Sequence, residues 1–240
     1  MTAVRLFSSR TRIKICGLTR EADVDAAVDA GADAIGFNLY PKSPRYVSLD
    51  RAVQLAQRLP PFVAPVLLFV NEETSRIRAA LASVAGSIAQ FHGDESPQDC
   101  WQACDQGQHL FLRAARIPKG DAGRLFDLVK YALDYSKAQA ILLDAQVDGY
   151  GGGGQTFNWS LLPPNVNAHL VLSGGLSAAN VIDGILQVRP RCKTLAVDVS
   201  SGVEMSGPGH KGIKDPEKIN QFVAAVRAAD RQLAEMSKNV

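Results

Sequence analysis

Short apolar, β-branched runs recur along the chain, each followed by a polar or glycine-bearing turn, and between them apolar residues fall three and four apart. The runs read as strands and the intervening spacing as amphipathic helices, so the alternation predicts βα units around a parallel sheet. Strands are predicted over 12–16, 34–38, 64–70, 87–92, 109–113, 140–144, 170–173 and 195–199, and helices over 20–30, 49–59, 73–85, 97–104, 121–135, 178–188 and 216–229. Behind the sixth strand, 159–162 soon meets Pro163 and Pro164, which leaves room for a brief helix at best. Eight such beats without a linker favour a closed (β/α)8 barrel, the TIM-barrel form of the α/β class, over an open doubly wound sheet.

Composition sharpens this picture in a few places. With 240 residues, 46% of them apolar, the chain can bury one large core, and about 250 residues is ordinary for a single barrel domain. The domain is expected over 12–240, behind a short N-terminal extension at 1–11. That extension carries Arg5 and Arg10 without an acid and lacks the apolar core of a signal peptide. A formal net charge of +2 with no long run of one sign gives no reason to expect nucleic acid or a membrane surface as partner, so an anionic ligand must be held locally. The longest apolar stretch, 60–70, is about half the ~20 residues that span a bilayer. Four scattered cysteines form neither a disulfide framework nor a zinc pattern, and a reducing cytoplasm is expected.

In barrels of this kind the chemistry sits at the carboxyl ends of the strands. The first strand ends Lys14-Ile15-Cys16-Gly17, and alternation puts Lys14 and Cys16 on the side opposite Ile13 and Ile15. A thiol there is either a base, if a cation such as Lys14 lowers its pKa from about 8.5, or a small buried apolar residue. The sixth strand ends in Asp144, a position suited equally to a partly desolvated general acid and to a turn-capping carboxylate. Ser173-Gly174-Gly175-Leu176 and Ser200-Ser201-Gly202-Val203-Glu204 follow the last two strands. Paired glycine turns at these places are the usual phosphate site of such barrels, with two ordinary tight turns as the plain alternative. Arg45 stands on a loop stiffened by Pro41 and Pro44, where its guanidinium could fork onto a substrate carboxylate or simply face solvent. His92 and Asp198 point to the mouth by position, as ligand contacts or as wall residues. The glycine-rich run 149–155 behind Asp144 could close over a ligand or form a surface loop.

These segments, together with Gly36-Phe37, Phe69-Val70-Asn71, Gln90-Phe91-His92-Gly93 and Val197-Asp198-Val199, resemble the phosphoribosylanthranilate isomerases of tryptophan biosynthesis, from Lys14 nearly to the final helix. The resemblance implies that Cys16 is the general base, Asp144 the general acid and Arg45 a ligand of the anthranilate carboxylate. It further implies a phosphate site on the last two turns, a phosphosugar–anthranilate substrate, and no metal or organic cofactor. A monomer or homodimer is expected. Two positions depart from the family pattern: Gly153 where a hydroxyl is usual, and Asn158 in place of the aspartate before Trp159. The nearest enzymatic rival, the histidine-pathway aminoaldose isomerase, uses carboxylates for both roles, and indole-glycerol phosphate synthase would carry lysine in place of Cys16. A noncatalytic sugar-phosphate-binding barrel is the rival of another class.

Overall fold

The computed structural model describes residues 10–118, 120–145 and 156–238, without the side chain of residue 121. Eight parallel strands, β1 (Arg12–Cys16), β2 (Ala34–Asn38), β3 (Ala64–Phe69), β4 (Ile88–Phe91), β5 (Phe111–Ile117), β6 (Ala140–Ala145), β7 (Val166–Leu172) and β8 (Cys192–Val199), pair in chain order, and β8 closes on β1. Around them run α1 (Glu21–Asp29), α2 (Leu49–Ala56), α3 (Thr74–Ser83), α4 (Pro97–Ala103), α5 (Leu128–Asp134), α6 (Val181–Val188) and α7 (Pro216–Met236). After β6, among the described residues, there is only a 3₁₀ turn, Trp159–Leu161, as the two prolines require. Asn158 caps it by accepting from the Ser160 amide at 3.0 Å. The 149–155 loop and most of the 1–11 extension lie outside the described residues.

The alternation along β1 decides which residues reach the mouth. Ile13 and Ile15 join the large cluster between sheet and helices, whereas Cys16 belongs to a separate group inside the barrel with Leu68, Val70 and Tyr40. Lower in the interior, Ala114, Leu142 and Val171 pack with Ala140 and Ala196, small residues that fit the narrow end of a filled barrel. The ring of helices is closed by α7, which packs against α6 and α1, starts at the Asp215 cap with Pro216 behind it and buries Ile219, Phe222 and Val226. From that helix Asp230 accepts from the Thr11 amide at 3.0 Å and its hydroxyl at 2.6 Å, so Thr11 is fully buried and the first strand is pinned to the last helix.

Several elements differ from expectation: β7 begins at Val166 and β8 at Cys192, ahead of the expected 170 and 195, and α7 runs on to Met236 past the expected 229. β5 lies at Phe111–Ile117 and not at 109–113, because Ala114 to Ile117 pair in register with Leu142 to Ala145 of β6 despite a weak strand composition. The helix expected over 121–135 is a 3₁₀ turn, Gly120–Leu125, followed by α5, which begins where Asp127 accepts from the Lys130 amide.

Candidate active site

Cys16 closes β1 beside Gly36 of β2, its register partner. A Cβ on Gly36 would stand 2.7 Å from the Cys16 sulfur and 3.0 Å from Lys14 Nζ, so this glycine is what lets thiol and ammonium pack together over one strand. Lys14 donates to Asp198 Oδ1 at the end of β8 at 2.8 Å, and Ser173 Oγ donates to Oδ2 at 3.2 Å. Burial works against the Lys14 charge, yet Asp198 and the neighbouring sulfur outweigh it and hold its pKa above the ordinary lysine value. For Cys16 burial is the largest influence and pushes the thiol up. Lys14 pulls it down by charge and hydrogen bonding, Asp198 raises it again, and Lys214 adds a smaller downward pull. The net shift is upward, so the resting side chain is S–H at neutral pH. Cys100 and Cys104, both pushed up to about 12 by burial, belong to the packing around α4. Cys16 therefore stands apart in having two lysines acting on it.

Asp144 ends β6 and is buried. Its Oδ2 lies 2.9 Å from His92 Nε2, just beyond β4, and His92 Nδ1 lies 3.1 Å from Gln90 Nε2. His92 thus meets the acid candidate, and Asp198 meets Lys14; both residues placed at the mouth by sequence are there, each engaged with a neighbour.

The loop after β2 is built by Asn38, which accepts from the Tyr40 amide at 2.9 Å and donates to Ser43 Oγ at 3.0 Å, while Ser43 Oγ accepts from the Arg45 amide. The Arg45 stem crosses Gly17, where a Cβ would lie 2.6 Å from Arg45 Cδ and where φ is +76°. Its guanidinium is not an open fork awaiting a ligand: Nε and Nη2 donate to Glu204 Oε1 and Oε2 at 2.6 and 3.0 Å. Among the described residues Nη1 has no hydrogen-bond partner. The fully buried Lys214 donates to Glu204 Oε1 at 3.1 Å and to the Ser200 carbonyl at 3.1 Å. Burial works to raise the Glu204 pKa, but Arg45 and Lys214 bring it below the usual carboxylate range. Glu204 was read in sequence only as the end of a turn, and Lys214 carried no signal there at all. Both are recruited because β8 and the segment before α7 fold back beside β1.

The two glycine turns interlock. Gly174 and Gly175 adopt φ of +78° and +62°, and Asn180 braces them by donating to the Gly175 carbonyl at 3.0 Å. A Cβ on Gly202 would lie 1.9 Å from the Leu176 carbonyl oxygen, so the second turn seats its backbone directly on the first. Among the described residues the amides of Gly174, Gly175, Ser201 and Gly202 donate to no protein acceptor, which leaves a set of N–H groups suited to an anion. Also among the described residues, no cluster of three or more His, Cys, Asp or Glu has the arrangement to hold a metal ion, and no helix is long and apolar enough to cross a membrane.

Residues 13–225 match the family model of N-(5'-phosphoribosyl)anthranilate (PRA) isomerase. The N-(5'-phosphoribosyl)anthranilate isomerase of Methylibium petroleiphilum is 57% identical over 225 residues, covering 94% of this chain and 98% of that one. A solved phosphoribosyl anthranilate isomerase in complex with reduced 1-(o-carboxyphenylamino)-1-deoxyribulose 5-phosphate superposes with a TM-score of 0.73 at 36% identity, covering 91% of this chain and 99% of that one. A Thermotoga maritima phosphoribosylanthranilate isomerase does so with a TM-score of 0.70 at 34% identity and the same coverage. Likeness of this extent takes in the whole ring of strands together with every mouth residue just described, and the chain belongs to the N-(5'-phosphoribosyl)anthranilate isomerase family.

Proposed function

We propose that the mouth of this barrel catalyses the Amadori rearrangement of N-(5'-phosphoribosyl)anthranilate to 1-(2-carboxyphenylamino)-1-deoxyribulose 5-phosphate, a step of tryptophan biosynthesis, with Asp144 as acid and Cys16 as base. The observation that carries the proposal is the placing of one thiol beneath two lysines and one carboxylic side chain on a histidine, at the ends of β1 and β6 of the same mouth. Asp144 gives its proton to the furanose ring oxygen, the C1–O bond breaks, and the anthranilate nitrogen lone pair forms the C1=N iminium. The Cys16 thiolate, the minor but reactive form, removes the C2 proton. The C–H electrons become the C1=C2 bond, and those of C=N return to nitrogen. The resulting enolamine takes a proton on C1 from the Cys16 thiol and returns its enol proton to Asp144, which restores both groups.

The remaining residues hold the two ends of the substrate. The free amides of Gly174, Gly175, Ser201 and Gly202, with Ser200 at the head of the turn, take the phosphate. Arg45, held by Glu204, addresses the anthranilate carboxylate through Nη1. His92 and Asp198 act on the substrate through Asp144 and Lys14. The proposal requires no cofactor, and its setting is the cytoplasm.

To test it, the labile substrate is generated in situ from anthranilate and phosphoribosyl pyrophosphate, and the loss of its fluorescence is followed. Cys16→Ala and Asp144→Asn are each expected to lower kcat by about 100- to 10,000-fold with little change in KM. Wild-type-like turnover in either variant removes that residue's role.

The assembly proposed is a homodimer. Phe62 stands fully exposed on left-handed backbone (φ +73°) between α2 and β3, an apolar side chain presented at a steric cost. The Thermotoga maritima relative compared above is a monomer generated from a dimeric enzyme. Sedimentation of Phe62→Glu is expected to give a monomer with unchanged kcat; a wild type that sediments as a monomer refutes the dimer.

A further inference from the structure

We infer that Gln90 is a positioning residue for the acid, acting by fixing the tautomer of His92; this rests on the proposed role of Asp144. Gln90 lies in the barrel interior on β4 with no solvent exposure. Its amide nitrogen faces His92 Nδ1 at 3.1 Å, and its carbonyl oxygen Oε1 is buried without a partner among the described residues. Retaining an amide here is unfavourable unless its paired end has a task, since an apolar side chain of the same shape would leave nothing unsatisfied. Turning the amide over would leave both N–H donors unpaired, where the present orientation leaves one of them and the carbonyl oxygen, and buried donors are the less tolerated orphans. The nitrogen therefore donates, Nδ1 accepts, and the neutral imidazole carries its proton on Nε2.

This assignment fixes the direction of every hydrogen bond in the chain. Nε2–H donates to Asp144 Oδ2 at 2.9 Å, so Oδ2 serves as an acceptor whether the acid is protonated or ionised. The acid's proton must then reside on Oδ1, which has no hydrogen-bond partner among the described residues. After the proton leaves for the substrate, the same Nε2–H stabilises the carboxylate, without any rotation of the ring. The opposite tautomer would present a bare Nε2 lone pair to Asp144. The acid would donate its proton to that lone pair, holding it within the protein and away from the substrate. Gln90 prevents this reversal from the far side of the imidazole without touching the reacting atoms.

The tautomer can be read without any assay. The chain has four histidines, and a His92→Gln spectrum assigns the resonances of His92 in long-range ¹H–¹⁵N correlation spectra. The wild type is expected to show a protonated Nε2 and an unprotonated Nδ1; a protonated Nδ1 in the wild type overturns the inference directly. Gln90→Glu, whose carboxylate accepts from Nδ1–H, is expected to move the proton to Nδ1. It should lower kcat about tenfold to a hundredfold, a share of what a positioned proton transfer contributes, while KM stays within about twofold. Gln90→Met, which fills the same volume without choosing a tautomer, is expected to fall between this variant and the wild type, and it serves alone if Gln90→Glu does not fold. Unchanged kcat in the folded variants, with Asp144→Asn inactive, overturns the role of Gln90 and leaves the acid in place. Full turnover in Asp144→Asn overturns the acid assignment itself, whatever the tautomer.

Discussion

The two sides of the mouth are built from different kinds of interaction. On the β1, β2 and β8 side, Cys16 sits within buried full charges, Lys14 on Asp198 and Arg45 with Lys214 on Glu204. On the β4 and β6 side, Asp144 meets an imidazole that is in turn held by an amide. A buried thiol can act as a base only if something opposes the cost of its negative charge, and neighbouring ammonium groups do so. A buried carboxylic acid needs the reverse, surroundings that let it stay neutral until it reacts, with an N–H ready for the carboxylate that forms. The proposed base and acid are thus separated by the charge character of the walls as much as by residue type.

That contrast is tested most severely at Lys14. Lys14→Met removes the largest downward pull on the thiol and strands Asp198 in the interior. Because the lysine lowers the thiol pKa, its loss raises it. The wild-type rise of kcat/KM with pH is therefore expected to move further toward alkaline pH in the variant, with activity at neutral pH down by about tenfold to a hundredfold, a share of what a positioned proton transfer contributes. A pH profile that superposes on the wild type would separate Lys14 from the thiol. Stability sharpens the comparison next. Glu204→Gln leaves Arg45 and Lys214 without their anion and is expected to cost about 3–5 kcal/mol in urea denaturation. Asp144→Asn, which keeps an acceptor for His92, is expected to cost no more than about 1 kcal/mol. The Glu204 pKa is depressed in the fold, so its contribution is fully present above the unfolded carboxylate value of about 4.3 and is lost as pH falls through the lower folded value. Glu204→Gln should accordingly flatten the acid limb of the stability curve. Equal losses in the two variants would mean that the walls do not differ as described.

Much of this arrangement was legible in the sequence because it follows from strand period and strand ends. The alternation of Ile13 and Ile15 against Lys14 and Cys16 places the thiol inside the barrel, and Asp144 follows an apolar run as a terminal carboxylate must. The partnering was not legible. Arg45 and Glu204 are 159 residues apart and Lys14 and Asp198 are 184 apart, so their contacts exist only through closure of the ring. Closure likewise turns Arg45 from a solvent-facing candidate into a side chain already holding an internal carboxylate. β5 was misplaced for a related reason: Ala114-Ala115 carry little strand preference, and it is pairing with β6 that extends the strand through them. The run 121–135 failed as one helix because Gly123 packs where a Cβ would lie 2.4 Å from the Pro118 carbonyl oxygen, and the helix starts afresh at the Asp127 cap.

The clasp between Thr11 and Asp230 has a consequence for the order in which the molecule can be made. Its partners lie 219 residues apart, so the first strand has no final neighbour on one edge until β8 and most of α7 have left the ribosome. The Lys14–Asp198 pair beside the thiol waits on the first part of that event, the arrival of β8. A nascent chain that already contains Cys16, Arg45 and His92 therefore lacks the charged wall around the thiol, which forms only once β8 has been made.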